Sequence, residues 1–93
     1  MIRSFRCRDT EALFGLTRVP RFRMIETVAR RKLEYLDAAG RIDDLRLPPG
    51  NRLERLRGDR IGQHSIRVND RYRLCFVWKE DGAHDVEIVD YHR

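Results

Sequence analysis

The last residues of the chain combine a carboxylate, a phenol, an imidazole and a guanidinium group: Asp90, Tyr91, His92 and Arg93. Chain ends are usually poorly ordered and tolerant of change, so such a cluster directly after VEIV, a run typical of a strand, is unexpected. An imidazole beside a phenol is suited to general acid–base chemistry on a reacting oxygen. We therefore regard this end of the chain as a candidate site, with a soluble polar tail as the alternative.

Two upstream arginines, Arg71 and Arg73, could meet this cluster across a β-hairpin. If Asp81-Gly82 forms a two-residue turn, the strand pairing follows by counting. The pairs predicted in this way are Arg73 with Asp90, Arg71 with His92 and Tyr72 with Tyr91. A second two-residue turn at Asn69-Asp70 sets Arg71 opposite Val68 and Arg73 opposite Ile66.

Side chains alternate between the faces of a strand, so this register gathers several charged groups on one face. The charged end of that face is predicted to hold Arg71, Arg73, Asp90 and His92, and its apolar end Cys75, Val77, Val86 and Ile88. Guanidinium groups beside an imidazole and a phenol predict phosphate binding next to a proton donor. The alternative for Arg73 and Asp90 is a surface ion pair of small energy.

The first half of the chain supplies the elements that must position these residues. The alternating MIRSF predicts a short strand. DTEALFGL predicts a short helix, capped by Asp9 or Thr10 and ending near Gly15. The segment 16–24 around Pro20 predicts a loop that becomes ordered only on binding.

A long amphipathic helix is predicted from Arg23 to Ala39, and Gly40 ends it. Its apolar residues recur at three- and four-residue spacing: Ile25, Val28, Ala29, Leu33 and Leu36. The following IDDLRLPPGN stretch is predicted to be an irregular connection because Pro48-Pro49-Gly50 opposes regular structure.

Everything after Asn51 is predicted to be sheet. The strands are predicted in the runs RLERLRG, QHSIRVN, RYRLCFVW and HDVEIVDY. The resulting order, β-α-α-β-β-β-β, predicts an α+β fold in which the helices pack on an antiparallel sheet. A chain of 93 residues predicts a single domain spanning residues 1–93.

The composition by itself does not decide whether the partner is a polyanion, so the positions of the arginines must decide. Lys and Arg outnumber Asp and Glu by 20 to 15, and Lys32 and Lys79 are the only lysines. Arginine suits phosphate, but the codons of a GC-rich genome would produce the same bias. Isolated cysteines and the lack of an apolar leader or span predict a cytoplasmic protein. No metal-ligand spacing or glycine-rich phosphate loop is present.

The run LRGDRIGQHSIRVNDRYRLCF, followed by a terminal VEIVDYH, resembles the HigB toxins of the RelE superfamily. Tyr72 stands where tryptophan is common in that family, and the LPPGNRLE stretch resembles its GraT-like branch. The resemblance implies a RelE-like microbial ribonuclease fold, with two N-terminal helices against a curved, mainly antiparallel sheet. It further implies a type II toxin that cleaves mRNA on the ribosome through attack by the RNA 2′-hydroxyl.

The resemblance also implies partners and a division of labour among residues. No cofactor is expected, and the partners are the ribosome, mRNA and a helix-turn-helix, HigA-like antitoxin, with operator DNA reached only through that antitoxin and no membrane. Arg73 matches the arginine that steadies the phosphate, and the terminal group matches Asp90, Tyr91 and His92. Backbone contacts to RNA are assigned to Arg52, Arg55, Arg57, Arg60, Arg67 and Arg71.

Glu54 marks a departure from the family, because many HigB proteins carry a histidine at that place. Glutamate can serve as the general base, which makes His92 the general acid. Glu54 as an ordinary exposed carboxylate is the alternative. A catalytically weak ribosome-binding module, or a co-repressor acting with its antitoxin, therefore stays open beside the enzyme, as does a surface protein with no role on RNA.

Overall fold

A computed structural model describes residues 1–91, so predictions that involve His92 and Arg93 lie outside the described residues. The chain forms two α-helices and then an antiparallel sheet with the strand order β1-β2-β3-β4. The elements are α1 Arg8–Phe14, α2 Glu26–Ala38, β1 Glu54–Arg55, β2 His64–Arg67, β3 Tyr72–Lys79 and β4 Gly82–Asp90. The predicted α+β class is confirmed.

The N-terminal residues do not form the predicted strand. They follow the outer edge of β4 through two isolated parallel bridges, Ile2 with Ala83 and Phe5 with Val86. Between these bridges, Asp85 adopts a left-handed backbone (φ 52°) and its N–H donates to Ser4 Oγ. Asp85 lies in a bulge of β4. The bulge separates the two bridges, so residues 1–5 do not form a continuous strand along β4.

Helix α1 ends at Phe14, near Gly15 as predicted, but it begins before its predicted cap. Cys7 occupies the N-cap position. Thr10 lies inside the helix and is fully buried, and its Oγ1 accepts a hydrogen bond from the N–H of Ile88 at 3.0 Å. The hydroxyl that was expected to cap the helix instead joins α1 to β4.

The predicted loop around Pro20 is wrong for most of its length. Residues Pro20–Ile25 form a 3-10 helix, and Phe22 and Ile25 are buried. Helix α2 therefore begins at Glu26, three residues after the predicted Arg23. Burial of the Phe22 ring stabilises this segment in a fixed conformation.

The connection after α2 also contains more regular structure than predicted, and the strand after it contains less. Short 3-10 helices occupy Ile42–Arg46 and Pro49–Asn51. The predicted strand RLERLRG is reduced to β1, because left-handed residues stand on both sides of it: Arg52 (φ 47°) and Gly58 (φ 64°). Backbone of that kind cannot continue a β-ladder.

The hydrophobic core lies between the helices and one face of the sheet. Sheet residues Ile66, Leu74, Phe76 and Val86 are each 0% exposed, and they belong to the same apolar cluster as the α2 residues Ala29, Leu33 and Leu36. The predicted apolar stripe of α2 is thus confirmed for these three helix residues. Within residues 1–91, no helix is long and apolar enough to cross a membrane.

The predicted pairing of β3 with β4 is wrong by one residue at its charged end. Lys79 pairs with Gly82, so the turn is Glu80-Asp81. The bulge at Asp85 then shifts the register, and Arg73 pairs with Val89 instead of Asp90. Tyr72 pairs with Asp90 instead of Tyr91.

The β2–β3 register also differs from the prediction by one residue. Arg67 pairs with Arg73, where Ile66 was expected. Residues 68–71 connect the two strands, and Asn69 Oδ1 accepts hydrogen bonds from the N–H groups of Arg71 and Tyr72. This asparagine-centred turn replaces the predicted two-residue turn.

Candidate active site

A cavity of about 380 Å³ opens on the face of the sheet that points away from the core. Its lining is predominantly polar and consists of Arg52, Glu54, Arg67, Asn69, Asp70, Arg73 and Tyr91. Three of these side chains are cationic and two are anionic, so the lining carries a net positive charge. Such a cavity is chemically suited to an anion.

Arg73 lies at the centre of this cavity and is held in one orientation. Its Nη2 donates to Glu54 Oε1 at 3.1 Å, and its Nη1 donates to Ser65 Oγ at 3.0 Å. A longer hydrogen bond of 3.4 Å joins Nη1 to the carbonyl oxygen of Arg52. The Arg73 side chain is only 14% exposed, whereas that of Glu54 is 51% exposed.

Arg73 also contacts the aromatic ring of Tyr91, the residue that directly follows β4. Its guanidinium carbon lies 5.7 Å from the centre of the Tyr91 ring. The backbone of Tyr91 is fixed in turn, because its N–H donates to the carbonyl oxygen of Arg71 at 2.6 Å. A cation over an aromatic face is attracted by the ring's quadrupole. The phenol and the guanidinium group therefore belong to one arrangement.

Arg67 places a second guanidinium group directly across the sheet from Arg73. Two like charges on neighbouring strands repel each other, and nearby carboxylates offset that repulsion. Arg67 forms an ion pair with Asp70, while Arg73 pairs with Glu54. The two guanidinium groups therefore lie close together, and each is paired with a carboxylate.

The structure brings together three of the five predicted catalytic residues: Glu54, Arg73 and Tyr91. Asp90 stands on the opposite side of the strand, where its Oδ2 accepts hydrogen bonds from Nε and Nη2 of Arg71 at 3.0 and 2.9 Å. This bonding raises the pKa of Arg71 above its ordinary value. The predicted Arg73–Asp90 pair and the charged face shared with Arg71 are therefore wrong. His92 lies outside the described residues.

The predicted RNA-binding arginines fall into groups with different surroundings. Arg52 and Arg67 line the cavity, whereas Arg55 and Arg57 are exposed and are not part of its lining. Arg60 is more restrained, because its Nη1 donates to Glu87 at 2.9 Å and to Gln63 at 3.0 Å. The bond to Glu87 raises the pKa of Arg60 above its ordinary value.

Three residues around the cavity were not singled out from the sequence. Ser65 is fully buried and holds Arg73, while Asn69 and Asp70 shape the rim. Ser65 had a detectable signal, since it is a small polar residue in the alternating run QHSIRVN. Asn69 and Asp70 were recognised only as a turn. Among residues 1–91, no group of three or more His, Cys, Asp or Glu side chains is placed to hold a metal ion.

Comparison with known proteins identifies similar sequences over most of the chain. Residues 18–92 match the family described as the RelE-like toxin of type II toxin-antitoxin system HigB. Toxin HigB-1 of Vibrio cholerae is 52% identical over 69 residues, which cover 74% of this chain and 72% of that protein. An uncharacterized protein of Haemophilus influenzae is 39% identical over 59 residues, covering 63% of this chain and 58% of its own length.

Proposed function

This chain belongs to the RelE-like HigB toxins of type II toxin–antitoxin systems, and from that premise we propose that it is a ribosome-dependent mRNA endonuclease. The observation that carries the proposal is the cavity in which Glu54, Arg73 and Tyr91 converge. Membership of such a system implies an antitoxin partner. We further propose that this antitoxin is a HigA-like, helix-turn-helix protein, and that the toxin acts on ribosomes and mRNA in the cytoplasm as one domain.

The proposed reaction needs a base, a cation and an acid around one phosphate. Glu54 takes the proton of the mRNA 2′-hydroxyl, whose oxygen attacks the adjacent phosphorus. Arg73 stabilises the extra negative charge of the crowded phosphorane. The leaving 5′-oxygen takes a proton from His92, and Tyr91 lies beside Arg73 to contact the same phosphate. The products are a 2′,3′-cyclic phosphate and a free 5′-hydroxyl.

The geometry supports the first two of these roles. Glu54 and Arg73 lie within 3.1 Å of each other, so a hydroxyl and a phosphate of one nucleotide can reach both. Arg73 is oriented before substrate arrives by Ser65, which lowers the reorganisation that binding requires. Arg52 and Arg67 extend the positive surface for neighbouring phosphates.

Purified, antitoxin-free protein mixed with programmed ribosomes tests this function. We expect cleavage of the mRNA in the ribosome and much slower cleavage of the same mRNA alone, with both followed by mapping of new 5′ ends. An mRNA with a single 2′-deoxynucleotide at the scissile position is the matched control and should resist cleavage there.

Two results would contradict the proposal. Equal cutting of the deoxy-substituted mRNA would exclude attack by the 2′-hydroxyl. Intact mRNA on ribosomes that nevertheless bind the protein would favour the catalytically weak binding module instead.

A further inference from the structure

Lys32 and Asn51 form a buried polar pair between α2 and the segment that leads into β1. Lys32 Nζ donates to Asn51 Oδ1 at 2.6 Å, and the two residues are 7% and 0% exposed. The Asn51 amide donates in turn to the carbonyl oxygens of Leu45 and Leu47, at 3.2 Å each. Both the acceptor and the donor group of this side chain are therefore engaged.

Burying the ammonium group of Lys32 to this extent costs free energy. Burial lowers the pKa of Lys32, and the charges of Arg31 and Arg67 lower it further. No carboxylate among residues 1–91 forms an ion pair with it. Apolar residues of similar volume usually stabilise a core as well as a buried charge does. The particular property of this pair is its directionality, since each hydrogen bond fixes a position.

The pair anchors the segment that carries Arg52 and Glu54, two residues of the cavity lining. Asn51 immediately precedes Arg52, whose backbone is left-handed (φ 47°, ψ 58°). Residues other than glycine rarely adopt this conformation. The Arg52 carbonyl oxygen accepts a hydrogen bond from Arg73, and Glu54, two residues later, accepts another. The segment anchored by Asn51 thus supplies two of the three described acceptors of Arg73.

We propose that Lys32 and Asn51 are positioning residues for the proposed cleavage reaction, acting through Arg52 and Glu54 to set the distance between Glu54 and Arg73. This inference rests on the proposed function. Neither residue lines the cavity. Their contribution is to keep the base and the phosphate-binding cation in register, where small displacements cost rate more than affinity.

Lys32→Met tests the proposal because it keeps the length of the side chain and removes the ammonium group. Single-turnover cleavage at saturating programmed ribosomes should fall about tenfold or more, with ribosome affinity retained. In a Glu54→Gln background the same change should cost much less, because residues that act through one group are not additive. A full additional loss in that background would overturn the proposal.

Thr10→Val is the matched control. It removes another buried hydrogen bond, on α1, and should lower the melting temperature without changing the cleavage rate. If Lys32→Met behaves like this control, the pair is structural only and the proposal is wrong. Should Lys32→Met not fold, Asn51→Asp serves instead, because it keeps an acceptor for Lys32 and removes the donations to Leu45 and Leu47.

A readout independent of activity separates this inference from the proposed function. The Nε–H signal of Arg73 in a nuclear magnetic resonance spectrum, identified by its absence in Arg73→Ala, should move in Lys32→Met and stay in place in Thr10→Val. If the parent protein does not cleave mRNA, the proposed function fails, and this signal alone decides the coupling. An unmoved signal in both variants would overturn the inference.

Discussion

The two faces of strand β3 are held by different physics. On one face, Leu74 and Phe76 are 0% exposed and are stabilised by apolar contact with the core. On the other, the Arg73 side chain is 14% exposed, and hydrogen bonds to Glu54, Ser65 and the backbone hold it. Apolar burial is non-directional, whereas hydrogen bonds fix angles and distances. We therefore expect the first face to determine stability and the second to determine reactivity.

Cys75 is a fully buried thiol on β3 that is not reactive. It lies on the same face of β3 as Arg73, two residues further along, yet burial raises the pKa of its thiol to about 11. The thiol consequently stays protonated near neutral pH and is a poor nucleophile. Position on the polar face is therefore not sufficient to make a group reactive.

The largest effect is expected on the apolar face. Phe76→Ala should lower the free energy of unfolding by about 3–5 kcal/mol, because it removes a fully buried ring and leaves a cavity. Chemical denaturation measures this loss. Ile61→Ala is the control, since Ile61 is 82% exposed and should change stability by no more than about 0.5 kcal/mol. Equal losses in the two variants would contradict the division between the faces.

The next effect belongs to the polar face. Arg73→Ala should lower mRNA cleavage by about 10²-fold or more, because the phosphorane loses its cation. Arg71→Ala removes an arginine two residues away, whose partner Asp90 is on the opposite side of β4. It should cost only a few-fold, through weaker binding. Similar losses in both variants would show that charge on the strand matters and its face does not.

Glu54→Gln keeps the shape of the side chain and removes its basicity. Single-turnover cleavage on programmed ribosomes should fall by about 10²-fold, while mRNA binding is retained. Glu80→Gln, in the exposed β3–β4 turn, is the matched control and should cleave at the parental rate. A Glu54→Gln variant as fast as the parent would make Glu54 a surface carboxylate.

The smallest effect is expected for Arg57 and Arg60, which were both predicted from the sequence to contact RNA. Arg57→Ala should weaken ribosome association and reduce its salt dependence without changing stability, because Arg57 is exposed. Arg60→Ala should also lower stability, because Arg60 is bound to Glu87 and Gln63. Salt titrations and thermal melts of both variants provide the comparison. Unchanged association in both would refute their role as RNA contacts.

The elements that the sequence predicted well are those whose signal is local. The apolar spacing of α2 and the β-forming run RYRLCFVW each depend on neighbouring residues, and both elements are present, the second as Tyr72–Lys79. The 3-10 helix Pro20–Ile25 was missed because burial of Phe22 stabilises it, and burial is a property of the packed protein.

The candidate site was predicted in composition and only partly in arrangement. By itself the sequence determined the α+β class, the family resemblance, and the three residues Glu54, Arg73 and Tyr91 that share the cavity. Only the tertiary structure decided that Arg73 contacts Glu54 and Ser65 and does not pair with Asp90. The reason is that side chains alternate with a period of two, so one loop residue and one bulge move a side chain to the other face.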